Sequence, residues 1–150
     1  MTLEECRQIM ERDGLRAVFA DEEKVLYTSG RRGMEPMLEL ADLVEKNGWH
    51  PVYQADRIIG KAAAIVAAHC GIREIWGDVV SESAMEIAER NGIRVSCGEL
   101  VPMILNRERT AEGPFEAALK DLTENDFEQV MAIARPLAEK MRQVREANKQ

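Results

Sequence analysis

The residues best suited to chemistry lie in turns. Gly30-Arg31-Arg32-Gly33 sets two guanidinium groups between flexible glycines, and Gly60-Lys61 sits within "ADRIIGKAAA" at 55–64. A planar guanidinium can clamp a phosphate or carboxylate through paired N–H···O bonds, whereas a lysine supplies a point charge. Gly60-Lys61 is not a nucleoside-triphosphate loop. That loop needs a glycine five positions earlier and a hydroxyl residue after the lysine, and the chain has Ala55 and Ala62 there. The plainer alternative is that Asp56 caps a helix, Gly60 lets it pack closely and Lys61 reaches solvent. Ser81 and Glu82 of "SES", with Asn106 and Arg107 of "NRER", add polar groups in further turns. Ser83 reads better as a helix cap, and Glu108 with Arg109 as surface charge.

Other chemistries find little support. His50 and His69 have no Cys, Asp or Glu at ligand spacing, and Cys6, Cys70 and Cys97 are odd in number and far apart. That pattern argues against a disulfide framework and a Cys-x-x-Cys knuckle, so neither metal nor cofactor is expected. No Gly-x-Ser-x-Gly nucleophile elbow occurs. A net charge of −7 opposes non-specific binding to nucleic acid or an anionic membrane, so any anionic ligand must be met by a local basic cluster. The longest apolar run, Ala62 to Ala68, is too short to cross a bilayer, and no basic-then-apolar signal segment opens the chain. A cytoplasmic protein is expected.

The elements that must position these turns follow from periodicity. At 150 residues one domain is expected. Thr2 and Glu5 have capping-box spacing ahead of a stripe at Leu3, Cys6, Ile9 and Met10, which predicts a first helix. "LRAVFA" (15–20) and "KVLYTS" (24–29) read as a hairpin around an acidic turn. Pro36 suits the first turn of a helix over 35–47 that ends at Asn47-Gly48. A strand at 50–55 then leads, through Asp56 as N-cap, into an almost wholly apolar helix at 57–70. A strand at 72–80, a helix at 84–91 opened by a Ser83–Glu86 capping box, and a strand at 93–97 complete the alternation that a parallel α/β sheet demands. The segment around 101–120 has no firm assignment beyond a helical turn at 114–120. Thr123 then caps a last helical region whose stripe Phe127, Val130, Ala134, Leu137, Met141 and Val144 is heptad-like, and Pro136 should kink or split it. This divides the chain into residues 1–122 and a helical extension, 123–150, of the same domain. The stripe suits packing on its own domain or on a partner, and a homodimer is expected.

That element order resembles the cytidine-deaminase fold. "DRIIGKAAA" (56–64), "SESAMEI" (81–87), "GIRVS" (92–96) and "VPMILNR" (101–107) are similar to a small prokaryotic family of domains of unknown function assigned to that fold, over about residues 5–120. In that family a cysteine often precedes the proline of the late segment, whereas here Gly113 precedes Pro114, so no role for that thiol carries over. The resemblance implies a three-layer α/β/α architecture with a mixed five-stranded sheet, an antiparallel hairpin followed by parallel strands, plus C-terminal helices. It also makes absences informative. Zinc deaminases place His or Cys, then Ala-Glu, at the helix after the hairpin, and Pro-Cys-x-x-Cys at the next helix. Those places hold "GRRGMEP", in which Glu35 is a carboxylate, and "ADRIIGK". Neither supplies a zinc ligand, so zinc-dependent deamination is not expected.

The combined expectation is a zinc-free deaminase-like domain whose cleft takes an anionic small molecule, a nucleotide or another phosphorylated metabolite. Arg31 and Arg32 would neutralise charge, Gly60 would admit close backbone approach, and Lys61 and Arg107 would contact oxygens. Asp56 and Glu82 would orient hydroxyl or amine groups, with Ser81 and Asn106 on the same cleft. Two other readings stand beside it: a non-enzymatic dimerising module with a vestigial cleft, and a catalyst using Asp56 and Lys61 as an acid–base pair.

Overall fold

The chain alternates as its periodicity demands. The computed structural model describes residues 1–106 and 109–149. Helix α1 (Leu3–Arg12) is followed by strands β1 (Ala17–Ala20) and β2 (Val25–Ser29), helix α2 (Glu35–Asn47), β3 (Tyr53–Ile59), α3 (Lys61–His69), β4 (Glu74–Ser81), α4 (Glu82–Arg90) and β5 (Arg94–Val101). A short helix α5 (Pro114–Ala118), a 3₁₀ turn at Glu124–Asp126 and a long α6 (Phe127–Ala147) close it. The five strands form one mixed sheet in the order β2-β1-β3-β4-β5. β1 is antiparallel to β2 and β3, while β3, β4 and β5 run parallel.

Each face of the sheet has its own core. On one, α1 lays Cys6 and Met10 against Val18, Ala20 and Ala55. On the other, α2, α3 and α4 bury Met37, Leu40, Ile65 and Ile87 against Phe19 and Ile75. Arg57 ties α1 to the sheet: its guanidinium donates to the Leu15 and Met10 carbonyls at 3.0 and 3.3 Å and to Asp78 at 3.0 Å. The inner face of α6 packs on its own domain, burying Val130 and Ala134 of the stripe with Met131 and Ala138 beside them, while Val144 of the stripe is exposed. Phe127 of the stripe stacks on the His69 ring at 3.5 Å between centroids. No helix among the described residues is long and apolar enough to cross a membrane.

Several boundaries differ from expectation. Asp56 does not cap a helix. β3 continues through Ile58 and Ile59, which pair with Val79 and Val80 of β4, so α3 begins only at Lys61 with Gly60 as its cap residue. Parallel pairing and two β-branched side chains outweigh the capping preference of an aspartate. α4 begins at Glu82 instead of 84, because the Ser81 hydroxyl, not Ser83, accepts the capping N–H, that of Ala84, at 3.1 Å. β5 runs on to Val101, past the expected end at residue 97. Pro136 does not split α6, which is one helix from Phe127 to Ala147. Pro136 stands on its exposed side.

Candidate functional site

β3 ends between the first turns of α2 and α3, where an open α/β sheet presents its ligands. There the chain encloses a cavity of about 210 Å³. Its walls are Met34, Pro36 and Met37 of the α2 start, Ile58, Gly60 and Ala63 around the α3 start, and Ile104, Leu105, Pro114 and Phe115 of the segment that returns over them. Met141 of α6 closes one side.

Few polar groups break this apolar lining, and the most unusual is Asp56. It pairs in register with Ala17 of β1 and Gly77 of β4 and is only 8% exposed. Gly77 is needed beside it: a Cβ there would lie 2.6 Å from Val80 and 3.0 Å from Ile59. Burial pushes the Asp56 carboxyl from 3.8 up to about 7. Hydrogen bonds from Gln54 and from the backbone at Ile58 and Arg57, together with the charge of Arg16, pull only partly the other way. Gln54 is wholly buried and donates through Nε2 to Asp56 at 3.1 Å and to the Met37 sulfur at 3.2 Å. Its Oε1 is buried without a partner among the described residues. Such an orphan acceptor is costly and rare, and it marks the Gln54–Asp56 pair as more than packing.

Arg16, just ahead of β1, lines the cavity beside Asp56. Partial burial lowers its pKa, as do the nearby charges of Arg32 and Arg57, against the opposing pull of Asp56 and Asp78. Among the described residues no carboxylate lies within ion-pair distance of its guanidinium. Arg31 also lines the cavity, held at 3.0 Å from Glu39 and with its N–H donating to the Ser29 hydroxyl.

The start of α3 is already occupied by an anion of the chain itself. The Glu116 carboxylate accepts the Lys61 N–H at 3.2 Å, serving the free amides and positive pole that a helix N-terminus presents. A Cβ on residue 60 would stand 2.6 Å from Glu116 Oε1, so Gly60 is the residue that lets this contact form. Burial raises the Glu116 pKa, and the Lys61 N–H works against that rise.

The sequence candidates are therefore dispersed. Arg31, Asp56, Gly60 and Asn106 line the cavity. Asn106 spends its side chain on Thr110, whose N–H it accepts at 2.9 Å. Lys61 turns away and donates to the Lys120 carbonyl at 2.8 Å. Ser81 caps α4, Glu82 is exposed on its first turn, and neither lines the cavity. Arg32 belongs to a neighbouring groove, and Arg107 lies outside the described residues. Missed altogether were Arg16, Gln54 and Glu116. An arginine directly ahead of a buried strand was the one available signal for the first.

The two helix starts carry Gly33-Met34-Glu35 and Ile59-Gly60-Lys61. Among the described residues no three His, Cys, Asp or Glu side chains gather in a metal-binding group.

Comparison with known proteins fixes the kinship of this fold. No curated protein sequence matches the chain significantly. A crystal structure of a DUF1893 family protein (TM1506) from Thermotoga maritima is similar to it, with a TM-score of 0.74 at 22% identity, covering 87% of this chain and 86% of that one. The family profile described as "TM1506: Domain of unknown function (DUF1893)" matches residues 5–135. With that match spanning most of its length, the chain belongs to the DUF1893 family.

Proposed function

We propose that the protein binds a small anionic molecule, a nucleotide or another phosphorylated metabolite, at the carboxyl end of β3. The framework is read as a zinc-free variant of the cytidine-deaminase-like fold. The observation that carries the reading is that Arg16 and the buried Asp56 carboxyl line one cavity whose other walls are mostly apolar. Buried ionisable groups in an apolar pocket are costly to maintain and fix ligand orientation where they occur. A carboxyl near pH 7 can accept or donate a hydrogen bond, and Arg16 brings donors matched to an oxyanion. At about 210 Å³ the cavity is smaller than the roughly 300–1,000 Å³ of drug-sized sites, which suits a compact ring or short chain. The rival reading, a dimerising module, draws less support because α6 buries Val130 and Ala134 of its stripe on its own domain, with Val144 left exposed.

A thermal-shift panel of nucleotides and phosphorylated metabolites tests this. A true ligand at about a hundred times its Kd raises Tm by about 5–10 °C in a chain of this size, and Arg16→Gln removes the rise. A panel that gives no rise, or a rise that survives both Arg16→Gln and Asp56→Asn, refutes the assignment.

A further inference from the structure

On the other side of the 30–36 turn lies a second depression, a groove of about 460 Å³ between that turn and the end of α6. Its lining contains five cations, Arg31, Arg32, Arg142, Arg145 and Lys149, against two carboxylates, Glu35 and Glu146. In a chain of net charge −7 this concentration of positive charge is not a sampling of the general surface.

Glu35 organises the groove. It stands in the first turn of α2, and Arg145 reaches it at 2.7 Å, Arg31 at 3.9 Å and Arg142 at 4.0 Å. One carboxylate cannot use the donors of three guanidinium groups, each of which carries five N–H bonds in a fixed fork. Some are spent elsewhere: Arg31 also holds Glu39, and Arg142 holds Glu139 and Glu146. Arg32 and Lys149 have no carboxylate at ion-pair distance among the described residues. Even with Glu39 and Glu139 counted, cations outnumber carboxylates.

The groove and the cavity share Arg31, and the turn between them alternates its residues, Met34 and Pro36 to the cavity and Glu35 to the groove. We infer that the groove is a phosphate subsite, built from Arg32, Arg142, Arg145 and Lys149 around Glu35. It takes the phosphate or diphosphate of a ligand whose compact body fills the neighbouring cavity. The second half of this assignment rests on the cavity reading; the groove itself does not. The division of labour matches the two volumes, a compact cavity of about 210 Å³ beside a groove of about 460 Å³. Preformed guanidinium forks favour phosphate over a monovalent carboxylate, and screening makes the contact salt-sensitive.

The probe is inorganic pyrophosphate, titrated calorimetrically into the full chain at low salt. Saturable binding at one site is expected, weakened at least tenfold by Arg32→Gln and by Arg145→Gln and left unchanged by Arg90→Gln at the end of α4, outside the groove. Arg32→Gln guards against misfolding, since Arg145→Gln also unpairs Glu35. No binding, or binding indifferent to both groove variants, overturns the subsite. If pyrophosphate binds but no compound of the nucleotide panel does, the cavity reading alone fails. If a panel compound binds as tightly without its phosphate as with it, the two-part site fails while the cavity reading survives.

Discussion

Glu116 holds its carboxylate 3.2 Å from the Lys61 N–H, at the very start of α3. The two residues are 55 positions apart in the chain, and Gly60 is the hinge of the relationship. The segment that closes the cavity is thus pinned to the start of α3 by this contact, beside the bond from the Lys61 ammonium to the Lys120 carbonyl.

Gly60→Ala tests that pin. Gly60 has φ −99° and ψ −178°, extended backbone that alanine adopts freely, so the cost is steric alone. The new Cβ would meet Glu116 Oε1 at 2.6 Å and Ile104 Cγ1 at 3.3 Å. The carboxylate can swing away but then loses its N–H. Gly60→Ala should cost about 1 kcal/mol in urea unfolding, the scale of a lost helix cap. In a double-mutant cycle with Glu116→Ala the two losses should fall short of additive. Full additivity would mean the contact contributes nothing.

Asp56 governs a pH dependence. Its folded value of about 7 exceeds the 3.8 of an unconstrained carboxyl, so between these pH values the folded chain keeps a proton that the unfolded chain has released. The contribution is therefore fully present below pH 3.8, falls as pH rises toward 7 and is flat above. The full swing is up to about 4 kcal/mol. Asp56→Asn should be close to neutral at pH 4.5 and stabilising at pH 8, judged by urea midpoints at the two pH values. An equal effect at both would show that Asp56 titrates normally in the folded state.

How far such features could be read in advance depends on their range in the sequence. Local signals were legible: Thr2 accepts the Glu5 N–H at 3.1 Å, Pro36 opens α2, and Gly48 closes it at φ 65°. The β-α alternation follows from the same kind of signal, whereas the mixed sheet is implied by the family resemblance. Asp56 reads as the cap of a helix, whereas it lies in the middle of β3, because an aspartate before a helix and one inside a strand look alike until the parallel ladder decides. Its burial depends on β1 and β4, and its pKa on Gln54 and Arg16. Glu116 and Arg145 were beyond reach for the same reason: Arg145 meets Glu35 across 110 residues, and no periodicity encodes that encounter.

Arg57 makes a prediction about α1. Its guanidinium serves the Leu15 and Met10 carbonyls and Asp78 together, and Asp78 in turn accepts the Trp76 indole N–H at 2.9 Å. A lysine keeps the charge but cannot span three acceptors in a planar fork. Arg57→Lys should cost about 1–3 kcal/mol, with hydrogen exchange accelerated first in α1. Wild-type protection of α1 in the variant would show that the apolar contacts of Cys6 and Met10 suffice.

Pro136 poses the reverse case, a residue whose removal should help. It lies in the interior of α6, where proline forfeits an N–H and crowds the carbonyl one turn earlier, a penalty of up to about 3 kcal/mol relative to alanine. Being exposed, it returns little through packing. Pro136→Ala should therefore raise stability by about 1–3 kcal/mol, read as a higher urea midpoint at unchanged slope. The same variant reports on function. Met141 closes the cavity and Arg142 and Arg145 line the groove, all on the helix turns beyond residue 136. If the proline sets the path of those turns, the more stable variant should bind pyrophosphate less well; equal affinity would show that the path is set by the Arg145–Glu35 contact and the packing of Ala138 instead.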